Sequence, residues 1–169
     1  MSEVAIRQLG AGDVEAMRPL WLSLHAHHQS VAPELGPFAT DEASWRVRRA
    51  VYARCLGGEG FGFAASGGAL GDVGYAIVAT TVDDPLWADT WVVDRRVAEL
   101  ESLAVLPAMR GQGIGTKLLD AVDAELERRG IADLVIGALP QNRGAIRLYE
   151  SRGLRPSWLV MTRFGARRP

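Results

Sequence analysis

The 169-residue sequence predicts an α/β domain, and three observations predict it. Residues 100–106 and 131–138 are apolar runs of strand length, each closed by a proline, Pro107 and Pro140. Between them Ile114, Leu118, Val122 and Leu126 recur at helical spacing, with Lys117, Asp120, Asp123 and Glu127 turned outward. The glycine-rich stretch Arg110-Gly-Gln-Gly-Ile-Gly115 joins the first run to that helix. A crossover helix between two strands predicts that they run parallel.

Each remaining element has its own local signal. Residues 4–9 alternate in strand fashion, and Gly10-Ala-Gly12 ends them. Asp13 is the expected N-cap of a helix to about Gln29, on which Val14, Met17, Trp21, Leu24 and His28 share helical spacing and Pro19 starts a new turn or a kink. Residues 33–37 form a loop. Thr40 caps a second helix to about Leu56, with Asp41 and Glu42 in its first turn. Residues 61–65 are read as a strand, Ser66-Gly-Gly as a turn, and residues 73–82, rich in β-branched side chains, as the next strand. Residues 83–96 form a long connection. After the organising strand and helix, Gly130 is a C-cap, residues 142–152 are a short helix stopped by Gly153, residues 154–164 are a last strand, and 165–169 fray.

Chemistry concentrates at the glycine loop. A loop between strand and helix leaves backbone N–H groups free, with the positive end of the helix dipole behind them, which makes an anion site suited to phosphate. The dinucleotide spacing G-x-G-x-x-G fails, because Thr116 stands third in the series from Gly111, and no Gly-Lys-Ser/Thr follows for a P-loop. What remains is Arg-x-x-Gly-x-Gly, preceded by Glu101-x-Leu103-x-Val105 and Pro107. That pattern resembles the pyrophosphate loop of the GNAT superfamily of N-acetyltransferases. Asn142-Arg-Gly-Ala-Ile-Arg-Leu-Tyr149-Glu-Ser-Arg-Gly153-Leu resembles a second segment of that family, with Leu154 where an aromatic is usual. The two motifs span about residues 97–155, within a single domain of residues 1–169.

The resemblance implies the order β-α-α-β-β-β-α-β-α-β, with helices on both faces of a mixed, mostly antiparallel sheet. It implies acetyl-CoA as co-substrate, its diphosphate cradled by Arg110, Gly111, Gln112, Gly113, Ile114, Gly115 and Thr116. Arg110 either contacts the ligand or fixes the turn. The family's strand before this loop is bulged, which opens a V-shaped cleft. The pantetheine arm would then bond the main chain of Leu103, Ala104 and Val105, and one N–H there would face the developing oxyanion. Asn142 and Ala145 also fall at cofactor-binding positions, Asn142 being equally an N-cap.

Transfer to an amine needs a base for the ammonium proton and an acid for the departing thiolate. Glu99 and Glu101 stand two apart on a strand and therefore share a face. Glu101 matches the family position credited with the base role, Glu99 is its understudy, and Tyr149 is the matching acid. His25 and His28 share a helix face with Trp21 but have no acidic or cysteine partner at ligand spacing, so no metal is expected. With Glu34, Asp83, Asp84 and Trp87 they are candidates for an acceptor pocket suited to a cationic amine.

Composition narrows the alternatives. Net charge is −1, against nucleic-acid binding as the main task, and no apolar run approaches the roughly 18 residues that span a membrane. The start, Met-Ser-Glu-Val, has no signal-peptide character. The lone Cys55 forms no internal disulfide, consistent with a cytoplasmic location. The reading is direct acetyl transfer to a primary amine in a ternary complex. A small amine is the expected acceptor, with a protein or peptide amine as the alternative, and the family admits a homodimer. A non-catalytic CoA-binding module is the reading from another class, and a dinucleotide-binding domain is disfavoured by the glycine spacing.

Overall fold

The computed structural model describes residues 4–82, 90–157 and 159–162. Its centre is a five-stranded sheet in which sequence order is spatial order. The strands are β1 (Ala5–Gln8), β2 (Phe61–Ser66), β3 (Asp72–Val82), β4 (Arg96–Val105) and β5 (Asp133–Ile136). The first four pair antiparallel and β5 joins β4 in parallel, as a crossover helix requires. The helices are α1 (Arg18–Val31), α2 (Asp41–Gly57), α3 (Ile114–Arg129) and α4 (Arg143–Ser151).

Two cores lie on opposite faces of the sheet. On one, Leu118, Val122 and Leu126 of α3 pack with Tyr149 of α4 against Val78, Ala98 and Leu100. On the other, Trp21 and Leu24 of α1 and Trp45, Tyr52 and Cys55 of α2 pack against Tyr75, Ile77 and Ala104. Helices therefore cover both faces, in the architecture the sequence motifs imply.

The first helix is split where Pro19 falls. Ala11–Met17 is a 3-10 helix and α1 begins at Arg18, with the proline in the first turn, where a missing N–H costs nothing. Asp13 is not the N-cap; Gly10 holds that place, and the Asp13 carboxylate reaches back to accept the Gly10 N–H at 2.8 Å and an Arg7 N–H at 2.9 Å. Thr40 caps α2 as expected, its hydroxyl accepting the Ala43 N–H at 3.3 Å. The strand expected over 131–138 is only the four residues of β5.

The expected strand over 154–164 is absent from its described residues, 154–157 and 159–162. A strand exists only by pairing, and this segment finds no ladder. Pro156 withholds a donor, and Leu159, Val160 and Met161 remain 69%, 79% and 82% exposed. The rest of that segment, the tail 165–169 and residues 83–89 of the 83–96 connection lie outside the described residues.

One irregularity shapes everything near the glycine loop. Along β3 and β4, Val78 pairs with Leu100 and Ile77 with Ser102, which leaves Glu101 as an extra residue. This is a β-bulge, and it shifts the side-chain alternation by one. Ala98 and Leu100 face the α3 side before it, and Leu103 and Val105 face that same side after it. Pairing with β5 stops at Leu100, opposite Ile136. From Glu101 onward, the edge of β4 that faced β5 is open among the described residues.

Candidate active site

The glycine loop follows β4 directly. Residues Pro107–Met109 make one 3-10 turn, and α3 starts after Gly113, whose φ of 77° is left-handed, as is the 75° of Gly111. Glycine reaches such angles at no steric cost, which is why the chain can turn its amides outward here. Among the described residues, no backbone acceptor is found for the N–H groups of residues 111–116, while the Lys117 N–H returns to Gly113. Six donors at the N-terminus of a 16-residue helix form an anion cradle.

Several loop residues serve structure. Arg110 donates its Nε–H to the Val105 carbonyl at 3.1 Å, so this guanidinium fixes the turn between strand and loop. Gly115 is small because α4 crosses there: a Cβ would meet Leu148 Cδ2 at 3.2 Å. Gln112 leans back to the Ala108 carbonyl at 3.4 Å, and the side chain of Ile114 is buried in the core.

Glu99 and Glu101 emerge on the α1/α2 side of β4. Glu101 is ion-paired: Nη1 of Arg48 lies 3.1 Å from its Oε2 and also donates to its main-chain oxygen at 3.3 Å. Glu99 has no ion pair among the described residues. Its carboxyl is pushed up by partial burial and by the neighbouring Glu101 charge, with Arg48 pulling the other way. The two carboxylates thus differ: one is neutralised by a cation, the other is desolvated and inclined to hold a proton.

Tyr149 lies on the opposite face, in the α3 core, 9% exposed. Burial raises its phenol to about 12, so it keeps its proton throughout the working range. Asn142 does cap α4, its Oδ1 accepting the Ala145 N–H at 3.3 Å, which leaves its amide donors for another partner. Ala145 is packed against the same core. Arg152 pairs with Asp120 at 2.5 Å and Asp123 at 2.8 Å, fastening the end of α4 to α3.

The proposed acceptor-pocket residues divide. Asp83, Asp84 and Trp87 lie outside the described residues. Trp21 and His25 are 6% and 7% exposed and stack on each other, so they are core side chains with little surface to offer a ligand. The Trp21 ring carries the Arg48 guanidinium, 4.4 Å from its centroid, where a cationic acceptor was expected. His28 is driven down to about 4 by burial and by His27, His25 and Arg48, and is neutral at pH 7. Glu34 accepts from the Gln141 side-chain amide, tying the loop after α1 to the loop before α4. Among the described residues no three His, Cys, Asp or Glu side chains gather as a metal site, and no helix is long and apolar enough to cross a membrane.

Sequence reasoning missed Arg48, and a signal for it exists. Trp45, Arg48, Tyr52 and Cys55 follow 3-4-3 spacing, so a lone arginine sits in the buried stripe of α2. A charge placed so implies a partner across the interface. The hydroxyl cluster beside it was missed too: Tyr52 Oη stands 2.6 Å from both Tyr75 Oη and Ser102 Oγ, all buried.

Comparison with known proteins places this geometry in context. Residues 24–154 match the model of the Acetyltransferase (GNAT) family. Over 56 residues the chain is 45% identical to the [Ribosomal protein bS18]-alanine N-acetyltransferase of Escherichia coli (strain K12), a stretch covering 33% of this chain and 38% of that protein. Among solved structures, a tetramutant of the BH1408 protein from Bacillus halodurans superposes with a TM-score of 0.75 at 18% identity, covering 94% of this chain and 97% of that one. Aminoglycoside N-acetyltransferase AAC(6')-Iy in complex with CoA gives 0.65 at 20% identity, covering 98% and 97%. With a family match over most of its length, the glycine loop before α3 and a bulged β4, the chain belongs to the acetyltransferase (GNAT) family.

Proposed function

We propose that this protein transfers the acetyl group of acetyl-CoA directly to a primary amine, both substrates being bound together. One juxtaposition carries the reading. The β4 edge that opens at Glu101 runs straight into a loop with six free N–H donors, so a ligand with an amide-bearing arm and a diphosphate fits strand edge and cradle at once. The main chain of Leu103, Ala104 and Val105 binds the arm, and an N–H among them stabilises the oxyanion. The residues from Gly111 to Thr116 hold the diphosphate by main chain, with Arg110 bracing the turn, and Asn142 and Ala145 border the arm from α4.

The base belongs to the Glu99–Glu101 pair. Glu101 is held by its ion pair with Arg48; Glu99, partly buried and with no ion pair among the described residues, takes the proton directly or through a water. Tyr149 approaches from the other face of the sheet and protonates the departing thiolate. The buried Cys55, its thiol pushed up to about 11, offers no route through an acyl-enzyme.

The acceptor is a small amine in this reading, because the Glu34–Gln141 bond draws two loops together. A protein N-terminus is the second reading, favoured by the local identity to an alanine N-acetyltransferase of a ribosomal protein. The test is acetyl-CoA-dependent thiol release across small amines and N-terminal peptides. Turnover on either class supports transfer and chooses between acceptors. Tight CoA binding with no turnover on any amine leaves a CoA-binding module instead.

A further inference from the structure

We propose that Arg48 is a positioning residue for this reaction: it clamps the β4 bulge and so holds open the strand edge that receives the acyl donor. The inference rests on the transferase reading for its kinetic test, but not for its structural one.

A bulge leaves its extra residue without a partner on the neighbouring strand, and here that residue is Glu101. Something must satisfy its main-chain oxygen and its charge in a half-buried place. Arg48 does both with one nitrogen, reaching the carbonyl at 3.3 Å and the carboxylate at 3.1 Å. The guanidinium is itself held in place, 4.4 Å from the Trp21 ring centroid and 5.7 Å from that of Tyr52. Tyr52 lies one turn further along α2 and fixes the next residue of the bulge, its hydroxyl 2.6 Å from Ser102 Oγ. One face of α2 therefore grips two consecutive residues of β4, at the point where pairing with β5 ends.

The consequence is geometric. The bulge sets which main-chain groups of residues 103–105 face the open edge, because it moves the alternation by one residue. Without the clamp, β4 is free to drift toward regular pairing with β3, which turns those groups away. Arg48 also stands beside Glu99, so its loss raises that carboxyl further and leaves the Glu101 charge uncompensated.

The experiment compares wild type with Arg48→Met, Arg48→Lys, Glu101→Gln and the Arg48→Met/Glu101→Gln double variant. The expected result for Arg48→Met is a kcat at least tenfold lower, a KM for acetyl-CoA raised at least threefold because the strand edge that binds the arm is disturbed, and an acid limb of the pH–rate profile displaced to higher pH. Arg48→Lys restores part of the rate, having the charge without the planar fork. In the double variant the losses do not add, since both act through one contact. Amide hydrogen exchange over residues 99–105 rises in Arg48→Met while the α3 amides stay protected, a readout that needs no turnover. Wild-type kcat and pH profile in a folded Arg48→Met protein overturn the proposal. So does unchanged exchange over 99–105, whatever the activity. If Arg48→Met does not fold, Arg48→Lys carries the test: a lowered rate with raised exchange over 99–105 supports the clamp, and wild-type rate and exchange overturn it. Absence of turnover in wild type defeats the transferase reading, and the exchange arm still decides the clamp.

Discussion

The hydroxyl of Tyr52, on α2, stands 2.6 Å from Ser102 Oγ, on β4, and 2.6 Å from the hydroxyl of Tyr75, on β3. This buried cluster links three elements beneath the bulge, and its tyrosines are pushed up, chiefly by burial. Tyr52→Phe removes the central member and leaves two buried hydroxyls short of a partner. The expected cost is about 1–3 kcal/mol of unfolding free energy. Urea denaturation of wild type and variant checks it; an equal midpoint would mean that the remaining pair satisfies itself.

The carboxylate pair predicts a pH dependence. Glu99 is raised, so it becomes protonated at higher pH than an ordinary glutamate. A base works only when deprotonated, so kcat/KM falls as pH drops through that raised value. Glu99→Gln is expected to lower kcat by at least tenfold and to abolish the limb, while Glu101→Gln keeps the limb. A limb that vanishes in Glu101→Gln alone would transfer the role to Glu101.

Tyr149 is raised to about 12, so it stays protonated across the usable range and contributes no alkaline limb below about pH 10. Tyr149→Phe is expected to cut kcat at least tenfold with CoA affinity intact, measured by calorimetry beside turnover. A rate within twofold of wild type would reduce Tyr149 to a core side chain.

Gly113 is left-handed, with nothing within 4 Å of a built Cβ. Gly113→Ala therefore meets no wall and costs only backbone strain, about 1–2 kcal/mol. Relaxation of that strain re-aims the loop amides, so CoA affinity is expected to fall at least tenfold in titration. Unchanged affinity would mean that the cradle does not depend on this turn.

His28 is lowered from an ordinary 6.5 to about 4, mainly by burial. The unfolded chain binds this proton more readily, so stability is lost as pH falls from 6.5 toward 4. Thermal melts at pH 7.5 and 5 are expected to show a smaller drop for His28→Gln than for wild type. An equal drop would place the acid sensitivity elsewhere.

Short-range patterns in the chain encode its local structure. Periodicity marked α3 and the strands around it, Pro19 marked the start of α1, and Thr40 and Asn142 were legible as caps, each accepting an N–H three residues on. The glycines marked the turn before α3, because a left-handed φ is a local requirement that leaves a local signature. Glu99, Glu101 and Tyr149 were visible as residues, but not the sheet that separates them into opposite faces.

The remaining features depend on how the elements pack. The bulge at Glu101 is a register between two strands, and no single strand's alternation reports its partner's register. Arg48 and Glu101 are 53 residues apart, so their pairing, which changes which carboxylate is free, exists only after α2 is laid on β4. The same logic cost the expected last strand, whose described residues join no ladder. Propensity is a property of the segment, whereas register, pairing and burial belong to its surroundings.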